Sequence, residues 1–361
     1  MKTLFCLRLF AAACGLLTCL VVYPTGSETR AAGAGKRMQG TFLQLANENG
    51  TWPIEKWMEL FDNFRELGLS QLVVQWTVND GIAFYPSASD ETIATPPLKT
   101  ILRLADEAHM QVYVGLVFDS GFWKMAGGAP ADIDSYFREL LGRSAATAKE
   151  LMPLVREHPS FKGWYVVQEV EDTTWSSSEK QQLLVSYLRN LSAFLHAITP
   201  DARVAISGFS NGTGDPKALA NFWNALLHEV PFVSSVFFQD GIGTGHLNMA
   251  NLPQYLAAMK DTLAANGREY QTIVEIFRQT SDSKAEGAQF RAVPAPLDQI
   301  LDQLRLAAAF SSETLAFSVP EYMSSLAGPA AKKLYQDYLA ELHRSSAEDN
   351  SADTESLNLK Q

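Results

Sequence analysis

Two hydrophobic patterns alternate along residues 37–345. Runs rich in β-branched and aromatic residues occur at 38–45, 71–78, 111–119, 163–171, 203–209, 234–240, 270–277 and 314–319. Between them the apolar residues fall three and four apart, as in Trp57-Leu60-Phe61-Phe64-Leu67 and Leu183-Tyr187-Leu191-Leu195. The first pattern predicts buried strands and the second predicts helices with one buried face. Boundary chemistry agrees: Ser176-x-x-Glu179 reads as a capping box, and Asp215-Pro216 as an N-cap followed by a first-turn proline. Eight strand–helix repeats imply parallel strands joined by crossovers, and hence a single (β/α)8 TIM barrel of the α/β class. The range exceeds the roughly 250 residues typical of that fold. Its excess falls after individual strands, at 79–97, 120–132, 171–178 and 241–253, where a barrel builds its active site. An open doubly wound sheet would need a glycine-rich phosphate loop after the first strand. Leu45-Ala46-Asn47-Glu48-Asn49-Gly50 has no such pattern.

The ends of the chain follow neither pattern. Lys2 and Arg8 precede an apolar run from Leu9 to Tyr23, then Pro24-Thr25-Gly26-Ser27. This order of charge, apolar stretch and small residues predicts a secretory signal, with residues 1–36 forming the signal and a short linker. The competing reading is an uncleaved single anchor, although the run is short of the ~20 apolar residues that span a bilayer. Ala11-Ala12-Ala13-Cys14 loosely resembles a lipoprotein cleavage box, so any membrane attachment is expected only through the N-terminus, as lipid or as the uncleaved anchor. Cys6, Cys14 and Cys19 are the only cysteines, so a domain cleaved beyond them needs no oxidative folding. Residues 346–361, dominated by Ser, Asp, Glu and Asn, predict a disordered acidic tail. The expected destination is the periplasm or the exterior.

Composition narrows the function. The chain is 47% hydrophobic and 19% charged, with a formal net charge of −11. Losing residues 1–36 would leave 25 basic against 39 acidic residues. Such a charge disfavours nucleic acid and anionic membrane surfaces as partners.

In a barrel the C-terminal ends of all strands open into one mouth. Here those ends carry Gln44, Gln75, Trp76, Asp119, Gln168, Glu169, Glu171, Asp240, Glu275 and Tyr322, with Trp123 and Trp175 on the following loops. Carboxamides and carboxylates suit hydroxyl-rich ligands, and aromatic faces suit the apolar faces of sugar rings. Trp76, Trp123, Trp175 and Tyr322 are therefore candidate sugar platforms. Gln44, Gln75, Gln168, Asp119 and Asp240 are candidate hydroxyl ligands. No cofactor and no metal set is implied. Glu169 and Glu275 end the fourth and seventh strands after runs of buried β formers, where a charge is costly unless paired or used. Two such carboxyl groups are what glycosidic hydrolysis requires. Pairing with a residue such as Arg278 is the bland alternative. Glu171 competes with Glu169 because it shares its strand parity.

Gly163-Trp164-x-x-x-Gln168-Glu169 resembles the Gly-x-x-x-x-Asn-Glu signature of the large retaining (β/α)8 glycosidase clan. Gly40-Thr41-Phe42-Leu43-Gln44, Val73-Val74-Gln75-Trp76, Gln239-Asp240-Gly241-Ile242-Gly243 and Glu275-Ile276-Phe277 resemble more closely a bacterial domain-of-unknown-function family. That family comprises exported barrels regarded as candidate glycoside hydrolases, and the resemblance spans roughly residues 38–325. It implies that Glu169 is the general acid/base and Glu275 the nucleophile, acting on a polysaccharide or oligosaccharide. Gln168 departs from the clan's Asn.

Gly208-Phe209-Ser210-Asn211-Gly212 also matches the G-x-S-x-G nucleophile elbow, with Asp240 and His246 as partners in triad order. The helix an elbow needs directly after Ser210 is interrupted by Gly212-Thr213-Gly214-Asp215-Pro216. Gly241-Ile242-Gly243-Thr244-Gly245 resembles a phosphate cradle but lacks a following lysine, and reads better as a flexible loop beside Asp240. The function expected is an exported, two-glutamate, retaining glycoside hydrolase acting on an exopolysaccharide or envelope glycan. A non-catalytic carbohydrate-binding barrel and a Ser210 esterase are the alternatives.

Overall fold

The computed structural model of the chain describes residues 37–281 and 290–358. The expected signal segment and its cysteines lie outside the described residues.

Eight parallel strands close into a barrel: β1 (Gly40–Leu43), β2 (Gln71–Val74), β3 (Gln111–Gly115), β4 (Phe161–Glu171), β5 (Arg203–Phe209), β6 (Ser235–Gln239), β7 (Glu269–Glu275) and β8 (Glu313–Phe317). Each of the eight predicted runs supplies one. Closure is made by β1, where Gly40 stands opposite both Gln71 of β2 and Leu315 of β8. Eight helices form the outer ring: α1 (Ile54–Glu66), α2 (Leu98–Glu107), α3 (Pro130–Val155), α4 (Ser178–Ile198), α5 (Pro216–Glu229), α6 (Leu252–Ala265), α7 (Leu297–Ala307) and α8 (Pro329–Asn358). The buried faces follow the predicted spacing, with Trp57, Leu60, Phe61 and Phe64 inward on α1.

Alternate residues of each strand fill the barrel interior. Phe237 of β6 touches the rings of Phe42, Tyr113 and Tyr165, at centroid separations of 6.5, 5.2 and 6.2 Å. This aromatic plug forms the floor beneath the mouth, and removing such a ring costs about 3–5 kcal/mol. A polar layer lies below it, where Gln71 Nε2 donates to Gln271 Oε1 at 2.8 Å and Gln271 Nε2 to Glu313 at 2.7 Å. Gly115 and Gly163 permit the close strand approach: a Cβ on either would lie 2.0–2.1 Å from the carbonyl oxygen of Gln75 or Arg203.

Local chemistry corrects two expectations. The cap of α4 is Ser177, whose hydroxyl accepts from Lys180 N at 3.3 Å, one residue later than the expected box. Asp215 and Pro216 begin α5 as expected, with Asp215 accepting from Ala218 N at 2.7 Å. At the far end, α8 is helical to Asn358, into the stretch 346–361 for which composition predicted no regular element. Propagating a helix already docked through Leu334, Tyr335, Tyr338 and Leu342 costs far less than starting one.

A rim sheet and one carboxylate of α3 hold the long loop after β2. Glu150 of α3 accepts from Tyr85 Oη, Ser87 Oγ and Ser89 Oγ at 2.9, 2.7 and 2.6 Å.

Candidate active site

The strand ends open into a cavity of about 500 Å3. Three carboxylates line it: Asp119 after β3, Glu169 on β4 and Glu275 at the end of β7. Four carboxamides join them, from Gln44, Gln75, Gln168 and Gln239. The rest of the wall is aromatic, including Trp76, Phe118, Trp123, Phe277, Phe317 and Tyr322. A larger open depression of about 800 Å3 lies between α4 and α5. It sits on the outer ring away from the strand ends, and its Arg189 and Glu229 are paired with each other at 2.5 Å.

Each glutamate is held from the end of β6 or the loop that follows it. Gln239 Nε2 donates to Glu169 Oε1 at 2.6 Å. Glu275 Oε2 accepts from Thr244 N at 2.8 Å and from Thr244 Oγ1 at 3.2 Å. The glycine loop 241–245 makes this possible. A Cβ on Gly243 would lie 2.6 Å from the Phe277 carbonyl oxygen and 2.8 Å from Glu275 Cβ, so only glycine lets Thr244 come so close. Gly241 and Gly245 hold φ of +65° and +75°, the left-handed region that glycine adopts without strain. The loop is a clamp on Glu275 rather than a phosphate cradle. Arg278 does not neutralise Glu275; its Nε donates to Gln299 Oε1 at 2.7 Å.

Both glutamates titrate above the ordinary carboxylate range. Burial does this to Glu169, against the opposing bond from Gln239. Burial also raises Glu275, helped by the like charge of Asp240 and opposed by Thr244 and the Gly243 backbone. Glu169 receives one hydrogen bond, whereas Glu275 receives a cluster that favours its anion.

Several sequence-derived positions take other roles. Asp240 is a supporting residue and not a hydroxyl ligand: it is 1% exposed, and Gln303 Nε2 donates to its Oδ2 at 2.7 Å. Its Oδ1 accepts from Glu275 N at 3.3 Å, so it braces Glu275 from behind. Burial raises its own titration as well. Glu171 is also away from the cavity. The pairing of β4 with β5 shifts between Val166 and Val170, and Glu171 turns onto its own loop, accepting from Thr173 N at 2.6 Å and from Thr174 N. Shared parity therefore did not bring Glu171 beside Glu169. Gln168 lines the cavity with both ends engaged, donating to Val117 O at 2.9 Å and accepting from Tyr187 Oη at 2.8 Å. Trp175 is no sugar platform: it is fully buried, stacked on Phe137 at 5.6 Å. Trp76 is a wall, its Nε1 fixed to Leu45 O at 2.7 Å and its ring 4.5 Å from Phe118. Trp123 is an open aromatic, 40% exposed, as is Phe290 at 50%.

The esterase arrangement does not form. Ser210 is buried and accepts from Gly212 N at 3.3 Å, while the His246 ring stacks on Phe209 and Asp240 is bound to Gln303. Sequence reasoning named Gln239 at a strand end and within a family motif but gave it no role, gave none to Thr244, and left out Gln303. Gln239 was within reach, because it shares parity with Phe237, which faces the barrel interior. Thr244 and Gln303 depend on loop and helix placement that no local pattern shows.

Residues 38–333 match the family described as Domain of unknown function (DUF4434). The chain belongs to that family. It is 27% identical over 290 residues to the uncharacterized protein YbcH of Escherichia coli K12, covering 78% of this chain and 89% of that protein. Among solved structures it is similar to a Bacteroides thetaiotaomicron protein described as a "putative alpha-L-fucosidase". The TM-score there is 0.68 at 20% identity, over 85% of this chain and 95% of the other. A thermostable mutant of a xylanase from Cellvibrio japonicus is also similar, with a TM-score of 0.50 at 12% identity, over 84% of this chain and 96% of the other. At such identities the likeness is one of fold: a glycosidase-type (β/α)8 barrel.

Proposed function

We propose that this protein is a glycoside hydrolase that takes a polysaccharide or oligosaccharide into the barrel mouth and cleaves it with Glu169 and Glu275. The observation that carries this reading is that the two glutamates reach one aromatic, carboxamide-lined cavity from the ends of β4 and β7. Roles follow from their surroundings. Glu169, half-buried and with one donor, has the less supported anion of the two and serves as the general acid. Glu275, with Thr244 and the Gly243 backbone supporting its anion, serves as the nucleophile. Its carboxylate oxygen bonds to the anomeric carbon as the glycosidic C–O bond breaks, and Glu169 gives its proton to the leaving oxygen. Water then attacks the same carbon, Glu169 takes a water proton, and the ester to Glu275 breaks, with net retention of configuration. Trp123 and Tyr322 offer faces for the sugar rings, and Gln44, Gln75 and Asp119 offer polar contacts to hydroxyl groups.

The test is hydrolysis of a panel of bacterial exopolysaccharides and envelope glycans, with the first-formed anomer read by proton NMR. Retention is the expected result. Inversion would reassign Glu275 as a base acting through water. Binding without hydrolysis would favour the non-catalytic carbohydrate-binding barrel.

Export belongs to the same proposal. Protein recovered from the cell envelope is expected to begin between residues 27 and 37, as N-terminal sequencing will show. A start at Cys14 bearing lipid would replace soluble export with a lipid anchor.

A further inference from the structure

We infer that the glycan accepted by this cavity carries free amino groups, and that acidic glycans are excluded. The inference rests on the glycan reading above and names the substrate class for the same site.

Charge is the first observation. Asp119, Glu169 and Glu275 line the cavity, and among its described lining residues there is no Lys, Arg or His. Arg278, the nearest cation in sequence to Glu275, is engaged by Gln299. With Glu169 holding its proton, a uronate or sulfate placed here would still meet the Asp119 carboxylate and the Glu275 nucleophile with no counterion, in a site that water screens poorly. The chain as a whole is negative, at −11, so its long-range field also favours a cationic ligand.

The second observation is an acceptor without a donor. Gln75 is 7% exposed and lines the cavity, yet its Oε1 has no hydrogen-bond partner. A buried unpaired carbonyl costs about 1–3 kcal/mol, which a ligand donor would recover. Three of the cavity's own donors, the Gln168 and Gln239 amides and the Trp76 indole, bond elsewhere within the protein and do not serve this oxygen. An ammonium brings three donors and no acceptor. The third observation is the aromatic wall, since cations are attracted to the faces of Trp, Tyr and Phe. The raised titration of Glu169 and Glu275 fits a site that lacks positive charge until substrate arrives.

The experiment is calorimetric binding of glucosamine, N-acetylglucosamine and galacturonic acid oligomers of equal length, to the parent and to Asp119→Asn, at low and physiological salt. The glucosamine oligomer is expected to bind the parent about tenfold tighter than the N-acetylated one, as one partly screened charge pair gives. The uronic acid oligomer is expected to bind at least about tenfold more weakly than the N-acetylated one. Asp119→Asn should remove most of the amine preference by weakening the glucosamine oligomer several-fold more than it weakens the N-acetylated one, which loses only a hydroxyl contact. Equal affinity for the amine and acetamide oligomers overturns the inference, as does an unchanged preference in Asp119→Asn. Acidic oligomers binding as tightly as neutral ones overturn it too, while leaving the glycan reading standing. Failure of every oligomer to bind removes the glycan reading, and the inference with it.

Discussion

Glu275→Gln is expected to lower hydrolysis of the responsive glycan by at least roughly 10⁴-fold, as loss of a covalent nucleophile does. Oligosaccharide affinity should stay within a few-fold. The amide keeps an acceptor for Thr244, which holds the present carboxylate at 2.8 Å. Glu169→Ala should act differently. Substrates with poor leaving groups lose roughly 10²–10⁴ in rate, the usual contribution of a positioned acid. Activated aryl glycosides keep their first step because their leaving groups need no proton. Azide should then restore turnover to Glu169→Ala, replacing the water that Glu169 would have activated, and should do nothing for Glu275→Gln. Hydrolysis, affinity and melting temperature are to be measured on each variant. Undiminished hydrolysis in either would remove that residue from its assigned role. If affinity and melting temperature fall together, the glutamates serve the structure of the mouth instead.

Asp240→Asn is expected to move the pH dependence of both activity and stability. Asp240 and Glu275 are buried side by side, at 1% and 2% exposure. Burial is the first cause of Glu275's raised titration and the Asp240 charge the second. Removing that charge lets Glu275 ionise at lower pH. The acidic limb of kcat/KM, where activity rises as the nucleophile ionises, should therefore shift downward in pH. The stability sign follows from proton binding. A carboxyl whose folded titration is raised holds its proton longer in the native state than in the unfolded chain. Its stabilising contribution is complete below about pH 4 and is lost as pH rises through the folded value. Asp240→Asn removes that loss, so the variant should melt higher than the parent at pH 8 and show no such gain at pH 4. Each kcal/mol of relieved repulsion is worth about 2–4 °C. An unmoved limb together with an unmoved melting point at pH 8 would show that Asp240 does not govern Glu275.

The barrel was legible because both of its periods are strong. Eight apolar runs of strand length, separated by three-and-four spacing, leave few other ways to bury the chain. The β5 limits coincide with the predicted ones, at Arg203–Phe209. Strand ends were less legible: the run 71–78 gives β2 only to Val74, and Val78–Asn79 pairs in a separate rim sheet with Val117–Phe118. The positions of Glu169 and Glu275 could be read because interior-facing residues alternate along a strand, from Tyr165 to Glu169 and from Gln271 to Glu275. The same rule favours Gln239 over Asp240. It fails for Glu171, which lies past the pairing shift in β4, where free loop N–H groups attract a carboxylate. The burial of Trp175 could not be read, because a tryptophan's exposure on a loop depends on which helix it meets.

The stitching at the barrel floor has a practical consequence. Thr314 Oγ1 donates to the Arg37 carbonyl at 2.8 Å, and Arg37 Nη2 donates to Ser346 Oγ at 2.8 Å. The chain thus enters β1 beside the middle of its final helix, on the face opposite the mouth. A bead, surface or fusion partner joined at Arg37 itself attaches behind the barrel and leaves the cavity facing outward. Protein immobilised that way should handle a long polymer as freely as protein in solution.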